Sequence, residues 1–419
     1  MEAAREAQEV WASRPLAERL RTLRALRHLL ALRSSELVAA ARGAGDRSED
    51  EVLSSEVIPL ADACRFLERE AEHILAPRWL GAQGRPFWLS GVEAEVRREP
   101  LGLVLVVAPS NYPLFLPGVQ ALQALAAGNA VLWKPGRGGS LAARRVAALA
   151  AEAGLDPRLL TVLPEDPETV RAALDAGVDK VLLTGSASTG RKVLAELASR
   201  LVPATMELSG CDALFVLPGA DLDRVARAVH FGLTLNGGAT CIAPRRVFVP
   251  HSLDALLGER ISALLAERPA PRISFMPVSD SEEALAAAAL CPYALGASVF
   301  GPEEEALAFA SRVRAGVVVV NDVIVPTADP RLPFGGRGES GFGVTRGAEG
   351  LLEMTVPKVV SVRRGRRLPH LEERHPGDAA LFRAYLTLTH GGGLRSRLRG
   401  LSALLAALVR RGRGSGRSS

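Results

Sequence analysis

Short, continuous apolar runs alternate with amphipathic stretches from residue 101 to residue 208, and this alternation limits the fold more than any other feature of the sequence. Runs such as LGLVLVVAP, AVLWKPG and KVLLTG are typical of buried strands, and the segments between them carry apolar residues at helical spacing. Continuous apolar strands separated by helices predict a parallel sheet covered on both faces. The pattern restarts after residue 207, so we predict an α/β fold with two Rossmann-like parallel-sheet domains. Ligands are expected at the carboxyl ends of the strands.

The predicted domains follow from where this pattern begins and stops. We assign residues 1–79, which read as helices, and residues 100–206 to a dinucleotide-binding domain. Residues 80–99 are predicted to form a short hairpin, and residues 207–361 form the second parallel-sheet domain. Residues 362–419 are a basic extension that contains one short apolar stretch.

The charge of the chain is concentrated at its C-terminal end. The net charge is +5, but the stretch from residue 361 onward holds 13 arginines and three acidic residues, so the rest is mildly acidic. This balance argues against a nucleic-acid-binding body. The first residues lack the apolar core of a signal peptide. No apolar run approaches the roughly 20 residues of a membrane span. The four cysteines have no short spacing, which argues against disulfides or a metal site. We therefore expect a cytoplasmic protein.

A thiol and a carboxylate stand out in the second half of the chain. Cys241 lies in the run NGGATCIAPRR, and Glu207 lies upstream in the run ATMELSG. Small neighbours expose the thiol, and Arg245 and Arg246 would favour the reactive thiolate. This pairing suits a covalent thiol enzyme that also activates water. The alternative for a free cysteine is a small buried hydrophobe, which is our interpretation of Cys64, Cys211 and Cys291, with Cys211 also close enough to Glu207 in sequence to border the site.

Lysine and asparagine are rare in this chain, with four of each, so their retained positions point to chemistry. Asn111, in APSNYPLF, could donate to a developing oxyanion, or could form a simple turn before Tyr-Pro. Lys134 ends a strand where a nucleotide would lie, although a lysine at a strand end is usually solvated. The run LLTGSASTG offers a phosphate-binding turn between a strand and a helix through Gly185, Ser186 and Gly190, but such turns are also common in α/β proteins without that role.

Taken together, these segments resemble the aldehyde dehydrogenase superfamily over about residues 5 to 362. The family order is reproduced by EPLGLVLVVAPSNYPLF, ALAAGNAVLWKP, LLTGSASTG, MELSG, NGGATCIAPRRVFV, and PFGGRGESGFG with TVPKVV. The resemblance implies oxidation of a small-molecule aldehyde to a carboxylic acid, with NAD or NADP as the cofactor. It also implies a homodimer, because residues 80–99 resemble the family's oligomerisation hairpin.

The same resemblance assigns roles to individual residues. Cys241 would attack the aldehyde carbonyl, and Asn111 with the Cys241 backbone N–H would hold the oxyanion. Glu207 would activate the water that hydrolyses the thioester, which favours hydrolysis over transfer to coenzyme A. The nucleotide would be bound by Lys134, Gly185, Ser186 and Gly190, with Asn321 and Phe334 near the substrate or the nicotinamide.

The sequence departs from the family pattern at four places. The acidic residue expected after Lys-Pro is replaced by Gly136-Arg137, which removes repulsion toward a 2′-phosphate and predicts that NADP is accepted. The stretch between Cys241 and ISFMPV is several dozen residues short, so the catalytic domain is predicted to be shortened, with an exposed sheet edge. Counting back places Glu267 where the acid that binds the nicotinamide ribose would fall. In addition, Ser209 and Ala239 replace the usual Gly and Gln.

Competing hypotheses follow from these departures. The leading one is an active NAD(P)-dependent aldehyde dehydrogenase. The main alternative is a catalytically degenerate binding or scaffold protein, and a third is an acyl-transferring reductase or a thiol esterase. For the basic tail, the alternatives are a solvated extension or, in the run GLRSRLRGLSALLAALVRR, an interfacial helix that contacts a membrane surface. In that case the protein would be peripheral to the membrane.

Overall fold

The computed structural model describes residues 1–42, 47–267, 273–364 and 368–414, without the side chains of Glu267, Pro369 and residues 411–414. It separates into two compact units. The first unit comprises residues 1–81 and 94–360, and the second comprises residues 82–93 and 361–419.

The described residues form sixteen α-helices. They are α1 (Glu2–Ser13), α2 (Leu16–Leu32), α3 (Ser34–Ala41), α4 (Glu49–Val52), α5 (Ile58–Ile74), α6 (Phe115–Ala127), α7 (Ser140–Glu152), α8 (Glu168–Asp175), α9 (Ala187–Ala198), α10 (Leu222–Thr234), α11 (Asp254–Glu267), α12 (Ser281–Ala289), α13 (Glu303–Ala310), α14 (Gly347–Leu352), α15 (Asp378–His390) and α16 (Gly393–Gly414).

The strands fall largely where the apolar runs predict them. They are β1 (Arg78–Leu80), β2 (Val92–Pro100), β3 (Leu103–Val107), β4 (Ala130–Lys134), β5 (Leu160–Val162), β6 (Lys180–Gly185), β7 (Ala204–Leu208), β8 (Asp212–Val216), β9 (Pro244–Pro250), β10 (Ser274–Val278), β11 (Tyr293–Ala294), β12 (Gly296–Phe300), β13 (Val317–Val320), β14 (Arg337–Gly338), β15 (Gly341–Phe342) and β16 (Thr355–Arg363).

The first large sheet has the strand order β15-β7-β6-β3-β4-β5 and is parallel except for β15. Its central strand β3 is completely buried, which accounts for its unbroken apolar sequence. The order reverses between β3 and β6, and this switch point opens a crevice at the carboxyl ends of the strands. Val107, the last residue of β3, pairs with Lys134 on one side and Leu183 on the other, so these strands end at the same edge.

The second large sheet is fully parallel, with the order β10-β9-β8-β12-β13. Helices α10 and α11 lie on one face with the core of Val225, Val229, Leu257 and Ile261. Helices α12 and α13 lie on the other, with Ala284, Ala306 and Phe309. Strands β10 and β13 are the edge strands of this sheet among the described residues. The two sheets confirm the predicted fold class.

Smaller sheets complete the description. Strands β1, β2 and β16 form a three-stranded sheet in which β1 and β2 are antiparallel, with Arg78 opposite Val96.

Helices α15 and α16 of the second unit pack on each other as a helical hairpin, so the basic extension is largely helical rather than an unstructured tail. No helix in the described part of the chain is both long enough and apolar enough to cross a bilayer.

A buried ion pair fixes the helical segment that precedes the active-site region. Arg47 and Glu56 are 8% and 0% exposed at their side chains, and their charged atoms lie 2.6 Å apart. The second carboxylate oxygen of Glu56 accepts the backbone N–H groups of Leu114 and Phe115, at 2.7 and 3.0 Å. Glu56 therefore fastens the π-helical segment Leu53–Val57 to the start of α6 and satisfies N–H groups that the helix leaves unpaired.

Replacement of Glu56 tests this attachment. Glu56→Gln leaves the Arg47 guanidinium buried without its counter-charge, so we expect the free energy of unfolding to fall by roughly 3–5 kcal/mol. Thermal unfolding followed by circular dichroism measures the change. Glu282→Gln is the matched control, because the Glu282–Arg312 pair is largely exposed and its loss should change stability little. Equal melting temperatures for the Glu56 variant and the control would contradict this assignment.

Candidate active site

A left-handed turn presents Cys241. The segment Leu235–Gly238 contains Asn236 and Gly237 at φ values of 51° and 58°, a conformation that favours glycine and asparagine. The backbone N–H of Asn236 donates to the carboxylate of Glu51 at 2.6 Å, so the turn is fixed at its start. Cys241 lies three residues after the end of this turn and precedes strand β9.

Three hydrogen bonds join this turn to the loop that follows β3. The Nδ2 of Asn111 donates to the carbonyl of Ala239 at 2.7 Å, and the Nδ2 of Asn236 donates to the carbonyl of Asn111 at 2.7 Å. The hydroxyls of Tyr112 and Thr240 lie 2.6 Å apart. We call this set the polar clamp. It brings Asn111 beside the cysteine turn, as the sequence predicts.

Glu207 reaches the same place from strand β7. Its side chain is buried, and Oε2 accepts the hydroxyl of Thr345 at 2.9 Å. Oε1 has no hydrogen-bond partner among the described residues. An unpaired carboxylate oxygen in a buried position is costly unless a substrate, water or proton occupies it.

Cys241 and Glu207 line two cavities at once. The first cavity, of about 340 Å³, is walled mainly by apolar side chains, among them Phe115, Leu235 and Ile242. The second, of about 240 Å³, is more polar and lies at the carboxyl ends of β3, β6 and β7, where Asn111, Gly185 and Ser186 contribute to its wall. The thiol and the carboxylate thus border both spaces.

Desolvation dominates the electrostatics of this pair. Surrounding protein raises the pKa of the Cys241 thiol, and the nearby carboxylates of Glu207 and Asp212 raise it further. Burial also raises the pKa of the Glu207 carboxyl. The positive charge of Arg346 opposes both effects. The thiol therefore rests in its protonated form, which corrects the expectation that neighbouring arginines would favour the thiolate.

Among the described residues, Arg346 supplies the only large positive charge that lowers the pKa of both Cys241 and Glu207. This residue was not predicted from the sequence. It is 4% exposed, its guanidinium lies 4.3 Å from the centre of the Phe334 ring, and it donates to the carbonyl of Thr327. Its Nε has no partner among the described residues. The backbone of Arg346 has a φ of 61°, a strained conformation for a residue other than glycine.

The arginines that follow the cysteine have structural partners instead. Arg245 donates to the carbonyl of Gly238, which closes the cysteine turn. Arg246 donates to the carbonyls of Cys211 and Ala288. Neither residue appears among the main charges that act on the Cys241 thiol.

The cofactor-binding predictions converge in part. Gly185 ends β6, and Ser186 caps α9 by accepting the N–H of Thr189 at 3.1 Å, so both lie at the switch point. Lys134 ends β4 at the same edge and is buried without an ion pair to any described residue. Burial lowers the pKa of this lysine, and Glu165 and Asp166 act in the opposite direction.

An acidic residue does lie near Lys134, but it comes from a later segment. The Glu165 carboxylate accepts the N–H groups of Gly138 and Ser140, both at 2.9 Å, and closes the loop that contains the exposed Arg137. The sequence predicts that this loop has lost its acidic residue. In the structure, Glu165, which lies 27 residues after Gly138, places a carboxylate against the loop.

None of the other predicted site residues with a described side chain or backbone lines the crevice. Gly190 faces Leu208, and a Cβ there would lie 2.8 Å from a Leu208 methyl, so this glycine permits close packing of α9 on β7. Phe334 lines the apolar cavity rather than the crevice. The side-chain amide of Asn321 accepts the N–H of Gly301 and donates to the carbonyl of Gly301, and Asn321 borders neither cavity. Glu267 ends α11, and its side chain lies outside the described residues.

The remaining cysteines differ from Cys241. Cys64 is buried and donates to the carbonyl of Leu23, which agrees with a small core residue. Cys211 and Cys291 are partly exposed, as Cys241 is, but they line a separate small cavity with Arg246. Gly210, rather than Ser209, marks the close backbone approach in this segment, because a Cβ on Gly210 would lie 2.7 Å from the Cys241 carbonyl oxygen.

The family model described as "Aldehyde dehydrogenase family" matches residues 1–270 and 261–360. This chain belongs to the aldehyde dehydrogenase family. The predicted membership in this oxidoreductase family is therefore confirmed. The model matches in two segments that overlap at residues 261–270.

Individual members of the family show the extent of the similarity. The 4,4'-diapolycopene aldehyde oxidase of Methylomonas sp is 28% identical in an alignment 458 positions long. The alignment covers 93% of this chain and 86% of the relative. An NADP-dependent glyceraldehyde-3-phosphate dehydrogenase from Bacillus halodurans C-125, complexed with NADP, superposes with a TM-score of 0.79 at 25% identity, covering 86% of this chain and 90% of the other. An NAD-dependent aldehyde dehydrogenase from Sinorhizobium meliloti gives 0.80 at 25% identity, covering 88% and 87%.

Removal of the Arg346 charge tests the electrostatics of this aldehyde dehydrogenase site. Arg346→Met should raise the pKa of the Cys241 thiol further, and each additional pKa unit reduces the thiolate about tenfold at a given pH. We expect iodoacetamide to alkylate Cys241 at least several-fold more slowly at pH 8. Peptide mass mapping gives the rate at this site, with Cys211 in the same molecule as an internal control.

Arg346→Lys keeps the charge and should restore most of the alkylation rate. Equal alkylation of Cys241 in the wild type and in Arg346→Met would contradict the role of this charge.

Proposed function

We propose that this protein oxidises an apolar aldehyde to its carboxylic acid, with Cys241 as the nucleophile, Glu207 as the base and NAD or NADP as the hydride acceptor. One observation carries the proposal: the thiol and the carboxylate border both an apolar cavity and the crevice at the switch point of the first sheet. A substrate in the first space and a nucleotide in the second would meet at Cys241.

The first chemical step forms a bond between Cys241 Sγ and the aldehyde carbon. The thiol proton passes to Glu207 Oε1, which has no other partner among the described residues, and the carbonyl oxygen becomes an oxyanion. One hydrogen of the Asn111 Nδ2 is held by Ala239, and we assign the second to donate to that oxyanion. The Arg346 charge stabilises the developing negative charge between the two catalytic groups.

The second half of the reaction returns the free thiol. When bound, NAD or NADP supplies the acceptor that takes hydride from the substrate carbon as the thioester forms. Glu207, after releasing its first proton to solvent, takes a proton from water, and the resulting hydroxide attacks the thioester carbon. The C–S bond then breaks, Cys241 regains a proton, and the carboxylic acid leaves. The raised pKa of Glu207 suits it to this work as a base near neutral pH.

The crevice fits a dinucleotide. Lys134 is a buried ammonium without an ion pair to any described residue, and it lies at the same edge of the sheet as Gly185 and Ser186, which directly precede α9. The start of a twelve-residue helix favours negative charge. Lys134 would therefore bind the nucleotide, with the Gly185–Ser186 backbone against its phosphates. Arg137 is exposed beside Lys134 in the loop after β4 and is available to a 2′-phosphate.

The chemical character of the first cavity supports an apolar substrate. Its wall includes Phe231, Ile324 and Val325, and its volume of about 340 Å³ lies in the range of small-molecule sites. Arg346 is the one cation in the wall of this cavity among the described residues, and because its charge acts on Glu207 and Cys241 we assign it to these groups rather than to a substrate carboxylate. The Methylomonas relative is named as an oxidase of 4,4'-diapolycopene aldehyde, which agrees with an aldehyde as the substrate.

Exposed aromatic residues support the proposed homodimer. In the first unit, Trp79 on β1 is 70% exposed. In the second unit, Phe87 and Trp88 are exposed as well. Large exposed aromatic side chains are enriched in protein interfaces, and these three fall in or beside the segment that resembles the oligomerisation hairpin.

Turnover of an aldehyde panel tests the proposed chemistry. We expect NAD(P)H formation with uncharged aldehydes such as decanal or benzaldehyde, at least tenfold more efficient in kcat/KM than with succinate semialdehyde. Cys241→Ala should abolish this signal, whereas Cys211→Ala should retain it. No turnover of any aldehyde by the wild type, together with no nucleotide binding by calorimetry, would instead support a binding or scaffold protein.

Glu207→Gln separates the two halves of this reaction. The variant should form thioester more slowly, because the Cys241 proton must then pass to solvent, and should hydrolyse it more slowly still, so NAD(P)H formation stops near one equivalent and a covalent adduct on Cys241 is detectable by intact mass. In the wild type, hydrolysis should increase as pH rises through the raised pKa of Glu207, and the variant should lose that limb of the profile. An unchanged steady state in Glu207→Gln would remove this residue from the mechanism.

Cofactor choice tests the role of the loop after β4. We expect both NAD and NADP to support turnover, because Arg137 can attract a 2′-phosphate while Glu165 can accept from a ribose hydroxyl. Arg137→Gln should raise KM for NADP roughly tenfold, about the worth of one charge-assisted contact, and leave KM for NAD nearly unchanged. Arg144→Gln, on the exposed side of α7, is the control. Failure of the wild type to use NADP at saturation would overturn this proposal.

A further inference from the structure

The C-terminal helical hairpin is held together by small residues. Gly400 of α16 lies against α15, and a Cβ on this glycine would lie 2.3 Å from the backbone N of Leu388. Ala384 of α15 and Ala407 of α16 are buried. The two helices therefore approach closely along one face of each, and the larger apolar side chains of α16 have to point elsewhere.

Those larger side chains form an exposed stripe. Leucines recur in α16 at intervals of four, three, four and three residues, which places them on one helical face. They are 42–75% exposed and comprise Leu394, Leu398, Leu401, Leu405 and Leu408. In α15, Phe382 and Leu386 are also more than half exposed and lie one turn apart. We call the five leucines the leucine stripe.

The charge beside the leucine stripe has one sign. Helix α16 contains no aspartate or glutamate, and its first half carries Arg395, Arg397 and Arg399. With 100° between successive residues, Arg395 and Arg397 fall on opposite sides of the stripe. Long arginine side chains in such positions can extend toward a polar headgroup layer while the apolar face lies below it.

We propose that this hairpin docks on an anionic lipid surface, with the leucine stripe in the headgroup boundary and the flanking arginines on lipid phosphates. Charge selects this occupant over a second copy of the hairpin, because pairing two stripes would bring two basic helices together. The apolar stripe selects it over a nucleic acid, which would leave the leucines in water. The helix is too polar to cross the bilayer, so the contact is superficial.

Docking would give the proposed enzyme access to the substrates that its apolar cavity favours, because uncharged aldehydes with long apolar chains partition into lipid. This consequence rests on the proposed function. The docking itself depends only on the leucine stripe and its arginines, so it can be tested without turnover.

Vesicle sedimentation with the full chain tests the proposal. We expect the wild type to sediment with phosphatidylcholine vesicles that contain phosphatidylglycerol, to bind pure phosphatidylcholine at least tenfold more weakly, and to be released by high salt. The double variant Leu398→Ser/Leu405→Ser and the double variant Arg395→Glu/Arg397→Glu should each lose at least tenfold in binding. Leu290→Ser and Arg144→Glu, on exposed positions of the first unit, are the matched controls and should bind as the wild type does.

Several results would overturn the proposal. One is wild-type protein that stays in the supernatant with anionic vesicles, and another is equal sedimentation of the stripe variants. A fall in solution mass caused by the stripe variants, without any vesicle binding, would assign the stripe to a second copy. RNA binding that survives the leucine variants but not the arginine variants, again without vesicle binding, would assign it to nucleic acid. Aldehyde turnover measured on the same variants without vesicles should be unchanged, which separates a failure of docking from a failure of the proposed function.

Discussion

The polar clamp between the loop after β3 and the cysteine turn is the constraint on which the site depends. Asn111 and Asn236 each donate a side-chain N–H to the backbone of the other's segment, and the Tyr112–Thr240 hydroxyl pair adds a third bond. Each such bond contributes only about 1 kcal/mol to stability, but together they fix which surface of the turn faces the switch point. Without these hydrogen bonds, the glycine-containing turn would not hold the Cys241 thiol in one position.

Fixing the turn has an electrostatic consequence. The clamp places Cys241 in the same desolvated region as Glu207, where each negative charge would disfavour the other. The arrangement therefore needs a positive group that is itself shielded from water, and Arg346 has that property. Since Arg346 is held by the Thr327 carbonyl and lies over the Phe334 ring, its charge cannot swing away to solvent. In this view, the strained backbone at Arg346 is a cost of the same constraint.

The sequence was sufficient for the fold and for the groups that lie on regular elements. Periodicity predicts strands such as β3 and β6, and the ends of parallel strands meet at one edge, so Asn111, Lys134 and Gly185 could be placed together in advance. Rarity was a weaker guide, because Asn129 and Lys180 are equally rare yet serve the backbone around Gly102 and an ion pair with Glu353. A scarce residue type can be retained for packing as well as for chemistry.

What the sequence could not supply came from segments distant along the chain. Arg346 is one of many arginines, and nothing in its neighbours shows that a left-handed backbone turns it inward. Glu165 supplies an acid to a loop that has none of its own, because two backbone N–H groups bind its carboxylate across 25 and 27 residues of sequence.

The two apolar features of the molecule, the cavity beside Cys241 and the leucine stripe, differ in how far the sequence predicts them. The cavity beside Cys241 is apolar because residues from many segments converge on it, so only the fold reveals its character. The leucine stripe follows from the local repeat of α16 alone, and its existence was therefore visible in the sequence, while its exposure was not. Exposure depends on Gly400, which directs the small face of α16 against α15 and leaves the large face without a partner among the residues of its own hairpin. A bulky residue at that position would force the helices apart, and the leucines could then turn inward.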